Sequence, residues 1–341
     1  MAVGEGDPAL AIKTNVGMNV FCDFHHGGMY HAMHLLFVDR LGCNLYRPVG
    51  YEWAERDLWH VSELKPTRAA YLRPGGEHRL GIDGIWHWRD NGAELEHNCI
   101  TFRQFCDMPI DLILSTHPAH EVPYQKLLEF KPGAKLVRVC GNTGEVIHSK
   151  AGNVMDSTGY FRGQAENYVA FHQEFPLEPF VDKRPPQRAI SQYLNFFRNH
   201  PAFALWEQYR SQLPEFTWRM YGHQGDDGFL WPFSKIAKSM ADTSFVWHIK
   251  TEGYGHIIHN AYAAGRPVIT EIGRYRGYTA EALLEDGVTC VDISGGIEAI
   301  RHYGQPDELL RMCENARERF RQVVNFDAEE HKIRAFIERL V

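Results

Sequence analysis

The chain has no Cys-x-x-Cys pair, and its seven cysteines are scattered and odd in number. That pattern argues against a zinc knuckle and against a disulfide framework, and it fits a reducing, cytoplasmic compartment. No run approaches the roughly 20 apolar residues that a membrane-spanning helix needs, and no basic patch leads into an apolar stretch near the start. The sequence therefore reads as neither integral to a membrane nor exported by a conventional signal. Positive charge is not in excess either: 36 Lys and Arg against 43 Asp and Glu give a net charge of −7. Nothing global attracts nucleic acid or anionic lipid, although a phosphate-bearing substrate needs only local charge. Internal repeats and low-complexity tracts are absent.

What is there suffices for two cores, since 341 residues with 44% hydrophobic content exceed what one core usually serves. Residues 1–17 precede the first convincing strand and are set aside as an extension. An N-terminal domain over 18–182 and a C-terminal domain over 183–341 follow, joined at Asp182-Lys183-Arg184-Pro185-Pro186-Gln187, where charge and paired prolines make a short, stiff connector. The first domain opens as a βαβ unit: a strand over 19–24, the turn His25-His26-Gly27-Gly28, a helix over 29–40 and a strand over 44–49. Residues 53–92 are aromatic and rich in proline and glycine without clear periodicity, and are expected to form an elaborated loop with short helices beside an acceptor pocket. Regularity returns with a strand over 110–116, a turn at His117-Pro118, a helix over 121–130 and a strand over 134–140. The second domain reads as a strand over 189–197, a helix near 203–213, a strand over 216–221 and a glycine-rich turn over 222–228. Alternating strands and helices predict parallel sheets.

The most informative stretch runs from Thr251 to Thr270. A buried strand over 244–249 leads into Glu252-Gly253-Tyr254-Gly255, a turn whose glycines let backbone approach a ligand closely. A helix over 256–264 follows, Gly265 stops it, Pro267 lies just beyond, and a second strand starts at Val268. Glu252 is presented at the strand end, and the backbone N–H groups of Tyr254, Gly255 and His256 at the helix start suit a diphosphate. This segment resembles the donor-binding signature of the GT-B nucleotide-sugar glycosyltransferases: an acidic residue, Gly-aromatic-Gly, a helix ending Ala-x-Ala-x-Gly, then Pro-Val-Ile. The likeness covers roughly the last 110 residues, taking in the helix over 234–242, the loop and strand over 277–292 and terminal helices over 306–321, which have room to pack back on the N-terminal domain. One position departs. The retaining branch carries glutamate at both ends of a Glu-x7-Glu spacing, whereas Glu252 is followed at that spacing by Asn260, a neutral donor and acceptor.

The resemblance implies an α/β fold of the GT-B kind, two Rossmann-like domains facing across a cleft, and transfer of a sugar from a UDP- or GDP-sugar with no further cofactor. It implies that Glu252 contacts the transferred sugar, that His117 hydrogen-bonds it, and that an inverting member would use His25, His26 or His117 as base. Gly27 and Gly28 admit backbone N–H groups to a phosphate or sugar oxygen, or serve only as a turn. Arg198 and Lys235 are the candidate cations for the leaving diphosphate, and Asn260 for the ribose. His31 and His34 share a helix face with His25 and His26 nearby, but no carboxylate completes a ligand set, so no metal is expected. The acceptor, a glycan, a lipid-linked sugar or a nucleic acid, is left open by the sequence. A nucleotide-sugar epimerase or hydrolase, a glycosyltransferase acting on hydroxymethylated DNA pyrimidine, and a non-catalytic sugar-nucleotide-binding subunit stand as alternatives.

Overall fold

The computed structural model describes residues 17–22, 27–48, 78–80, 85–90, 93–100, 102–116, 118–147, 152–181, 184–230, 233–250 and 254–341. The strands of the first sheet are β1 (Asn19–Cys22), β2 (Asn44–Pro48), β3 (His78–Leu80), β4 (Ile85–Asp90), β5 (Ala93–Ile100), β6 (Leu112–Ser115), β7 (Lys135–Cys140), β8 (Asn153–Asp156) and β9 (Asn167–Ala170), ordered β3-β4-β5-β2-β1-β6-β7-β8-β9. β1 is central, with Val20 in register with Leu45 on one side and Leu112 on the other, both parallel. A strand buried on both faces reads as a continuous apolar run, which is what Val20-Phe21-Cys22 and Leu112-Ile113-Leu114 supply.

The second sheet holds β10 (Ala189–Gln192), β11 (Thr217–Met220), β12 (Phe245–Trp247), β13 (Val268–Thr270) and β14 (Cys290–Asp292), all parallel and ordered β11-β10-β12-β13-β14. The α-helices are α1 (Gly27–His34), α2 (Phe102–Asp107), α3 (Pro118–Leu127), α4 (Phe203–Gln212), α5 (Phe233–Ala241), α6 (His256–Ala263), α7 (Gly296–Tyr303), α8 (Pro306–Val323) and α9 (Phe326–Leu340). α1 runs on as a π-helical segment, Leu35–Arg40. α9 places Ile333, Phe336, Ile337 and Leu340 in the core of the first sheet, although the chain reaches it from the second. Among the described residues no helix is long and apolar enough to cross a membrane.

Two parts of the first sheet differ from the expectation. The stretch read as loop with short helices contains β3 and β4, which pair antiparallel with each other, and β4 pairs antiparallel with β5. Asp90 is in register with Ala93, and the two residues between them are Asn91-Gly92, the dipeptide that favours a tight hairpin. That local signal outweighs the general proline and glycine content. β8 and β9 extend the sheet beyond the alternation seen in the sequence; at four residues each they are too short to display a period.

In each sheet the chain order reverses direction at one place. From β1 the chain winds outward to β2 while β6 lies on its other side, and from β10 it winds to β11 while β12 lies opposite. At such a switch the loops after the two neighbouring strands part, leaving a crevice at their carboxyl ends where ligands settle in parallel α/β folds.

Candidate functional site

Several of the sequence candidates follow, along the chain, the strands that flank these two crevices. His25 and His26 lie in the sequence between β1 and α1, and His117 follows the end of β6; Glu252 and Gly253 follow β12. All five fall outside the described residues, so it is the frame around them that is visible. Gly27 and Gly28 are the first two residues of α1, which carries His31 inward until its ring is 5.4 Å from Phe233 at the start of α5. Phe233 in turn lies 6.1 Å from the ring of His256 at the start of α6, and Phe175 lies 5.4 Å from it. The middle of α1 and the starts of α5 and α6, helices of both sheets, therefore meet along one seam.

Gly255 caps α6 at φ +79°, a conformation that L side chains rarely adopt, and a Cβ there would come within 3.0 Å of Ile258 Cδ1. Its carbonyl accepts from the Ile258 N–H at 2.7 Å, and no side chain caps the helix. The N–H groups of His256 and Ile257, which precede that bond, have no acceptor within the helix, the arrangement that binds anions. Gly265, at φ +63°, closes the other end: the Gly265 N–H donates to the Tyr262 carbonyl and the Arg266 N–H to that of Ala261, a Schellman cap. Tyr254 is buried, its hydroxyl accepts from the Gln173 N–H at 3.1 Å, and its ring stacks on His259 at 4.5 Å.

Asn260 is fully buried, and neither its Oδ1 nor its Nδ2 has a hydrogen-bond partner among the described residues. Both ring nitrogens of His248, just past the carboxyl end of β12, are in the same situation. Burial, reinforced by Lys250 and His200, pushes the His248 imidazole down to about 3. His31 is likewise pushed to about 3, by burial first and then by His34 and His256. His259 is held well below its usual value by burial and by His172. At neutral pH these rings are uncharged and offer one donor and one acceptor each.

The two candidate cations differ in setting. Arg198 lies in a 3-10 turn after β10; its guanidinium pairs with Asp226, donates to the Gln224 carbonyl at 3.3 Å and covers the ring of Phe203 at 5.6 Å. Lys235 is exposed in the first turn of α5, close in sequence to Phe233. Sequence reasoning passed over His172 and Glu329, whose side chains bond each other beneath the seam. They are 157 positions apart, and no local pattern links them.

No family model matches the sequence, and no curated protein sequence does. Solved structures do match. A glycosyltransferase from Rickettsia africae superposes with TM-score 0.61 at 10% identity, over 95% of this chain and 99% of that one. TarM gives 0.64 at 11% identity over the same shares, and a UDP-forming α,α-trehalose-phosphate synthase from Burkholderia xenovorans gives 0.52 at 9%, again over 95% and 99%. The fold is GT-B. Within a GT-B frame the two switch-point crevices face each other, with the glycine turn and α6 on the C-terminal side and α1 opposite; at such identities the likeness is one of fold, and the chemistry has to be argued from the residues.

Proposed function

We propose that the chain is a glycosyltransferase that moves a sugar from a UDP- or GDP-sugar to an acceptor hydroxyl, with retention at the anomeric carbon. Retention is favoured by the Glu252 motif; the observation that supports binding of the nucleotide sugar is Asn260. A buried amide without partners costs about 1–3 kcal/mol, and folded chains keep such groups where something is gained in return. It sits five residues into α6 from Gly255, about 7.5 Å along the axis, with helix side chains leaning toward the N-terminus. A diphosphate on the open N–H groups of the first turn would bring ribose hydroxyls, both donors and acceptors, to that amide.

In this reading the glycosidic C–O bond to the diphosphate breaks as charge builds on the leaving phosphate, where the α6 dipole, Lys235 and an Arg198 released from Asp226 stabilise it. Glu252 faces the cationic sugar, and His117 hydrogen-bonds a sugar hydroxyl. The acceptor oxygen enters on the face the diphosphate leaves, and its proton passes to the departing phosphate oxygen, so no protein nucleophile is required. His25 and His26 contact the sugar or the acceptor, with Gly27 and Gly28 opening α1 beside them. The similar trehalose-phosphate synthase is UDP-forming, which favours UDP as the first nucleotide to try.

The test is a panel of UDP- and GDP-sugars followed by thermal shift and by release of nucleoside diphosphate. At ligand near a hundred times its dissociation constant, binding adds roughly 2.7 kcal/mol of stability, a readily visible shift. Absence of any shift and of any diphosphate release overturns the reading. Asn260 in place of the second glutamate favours one alternative, a sugar-nucleotide-binding subunit without turnover; a shift with no release under any acceptor would select it.

A further inference from the structure

Glu329 stands near the start of α9, 8% exposed, and spends both carboxylate oxygens on one residue. Oε2 accepts from the His172 backbone N–H at 2.7 Å and Oε1 from His172 Nδ1. The next residue, Gln173, donates its backbone N–H to the Tyr254 hydroxyl and its side-chain Nε2 to Ser157 Oγ at 3.0 Å. The His172 ring lies 5.1 Å from that of His259, which is stacked on Tyr254. The last helix thus reaches the residue before Gly255 through two hydrogen-bonded neighbours and a ring contact.

We propose that Glu329, His172 and Gln173 form a positioning strut that sets the geometry of the Tyr254-Gly255 turn from the seat of α9 on the first sheet. The inference rests on the reading above only for its consequence, that this turn holds the donor diphosphate. Seating α9 does not explain the carboxylate, because Ile333, Phe336, Ile337 and Leu340 already anchor the helix in the first core, and a buried carboxylate is costly unless its bonds are made to a purpose. Its bonds all run to the segment that crosses between the sheets. Tyr254 is held twice, through its hydroxyl by Gln173 and through its ring by His259 beside His172, while Gly255 beyond it has left-handed backbone that nothing in its own side chain can fix. The strut supplies that constraint. A shift of α9 against the second sheet is felt at the start of α6, so the two halves of the cleft are mechanically linked to the donor side.

Tyr254→Phe removes only the hydroxyl, and Glu329→Gln leaves one acceptor where there were two; Glu338→Gln, on the exposed side of α9, is the control. Amide exchange at Ile258 and His259, whose N–H groups bond the Gly255 carbonyl, is expected to quicken roughly tenfold in the first two variants, the factor that loss of one net hydrogen bond gives. It should stay at the wild-type rate in the control. Titration with UDP and with GDP is expected to show several-fold weaker binding in Tyr254→Phe and Glu329→Gln, with melting temperatures close to wild type. Unchanged exchange at Ile258 and His259 in Tyr254→Phe overturns the strut, and that variant alone decides if Glu329→Gln does not fold. If neither nucleotide binds the wild-type protein, the donor reading fails, and the exchange rates still decide the strut.

Discussion

At Asn260 two free energies point in opposite directions, which makes one substitution unusually discriminating. If the amide has no partner until a ligand arrives, Asn260→Leu keeps the number of side-chain heavy atoms, removes two unsatisfied polar atoms and leaves the fold as stable or up to about 2 kcal/mol more stable. The same change should weaken nucleotide-sugar binding by about 0.5–1.5 kcal/mol, a factor of roughly two to ten. Urea unfolding and calorimetric titration read the two quantities separately, and a variant that is both less stable and unimpaired in binding would make Asn260 a structural amide. Glu252 is tested differently. Glu252→Gln keeps shape and hydrogen bonding while losing the charge placed at the developing cation, so transfer should fall at least a hundredfold, on the order of 2.7 kcal/mol or more in the transition state. The melting temperature should stay put. Full activity in that variant would remove the carboxylate from the mechanism.

Along an element, the question is how much of the glycine turn is conformational need and how much is space. Gly255 and Gly163 share φ +79°, but only Gly255 has a neighbour within reach of a Cβ, Ile258 Cδ1 at 3.0 Å. Gly163→Ala should therefore report the left-handed backbone cost alone, about 1–2 kcal/mol, and Gly255→Ala that cost plus a shifted Ile258 and a displaced first turn. Urea unfolding of both variants, with nucleotide titration of the second, separates them; equal stability loss with unaltered binding would mean that the turn tolerates the methyl. This unit was legible in the sequence because its punctuation is local: Gly255, Gly265 and Pro267 mark where a helix starts and stops whatever surrounds it. β12 and β13 were legible for the related reason that strands buried on both faces are short apolar runs; β10 was legible only at its start, since the reading carried it to 197 whereas the strand ends at Gln192 and a 3-10 turn opens at Phe197. β4 and β5 were obscured because Asn91-Gly92 lay in a stretch whose composition suggested loop. The strut residues were not legible at all, since the pairing of His172 with Glu329 depends on where α9 lands after leaving the second sheet. The π-segment after α1 belongs with these: it ends at Arg40, whose guanidinium makes a bidentate pair with Glu174 at 2.7 Å and reaches Asp327. Arg40→Gln, leaving Glu174 and Asp327 without their cation, should destabilise by about 1–2 kcal/mol at low salt and less at high salt.

Taken as a whole, the molecule buries an uncharged imidazole, that of His31, where helices of its two sheets meet, and a second, that of His248, in the second sheet's domain, and that gives its stability a definite dependence on acid. His31 comes from a helix of the first sheet and meets Phe233 and His256 from helices of the second. Its imidazole is pushed to about 3, as is that of His248 at the end of β12, whereas in the unfolded chain each titrates near 6.5. A base whose folded value is depressed binds more protons when unfolded, so stability rises with pH across the interval between the two values. The contribution is complete above about 6.5 and is lost progressively as pH falls toward about 3, with a slope near 1.4 kcal/mol per pH unit for each such ring in mid-interval. Unfolding free energies measured between pH 7.5 and 4.5 should therefore decline, and carboxylates will add to the lower part of the curve in any variant. The difference between wild type and His31→Phe isolates the seam: a ring of similar size that cannot charge should flatten the slope between pH 6 and 5 by about one proton's worth, roughly 1.4 kcal/mol per unit. If the two curves run parallel, His31 is not held neutral by the contact between the sheets, and acid sensitivity has to be sought elsewhere in the molecule.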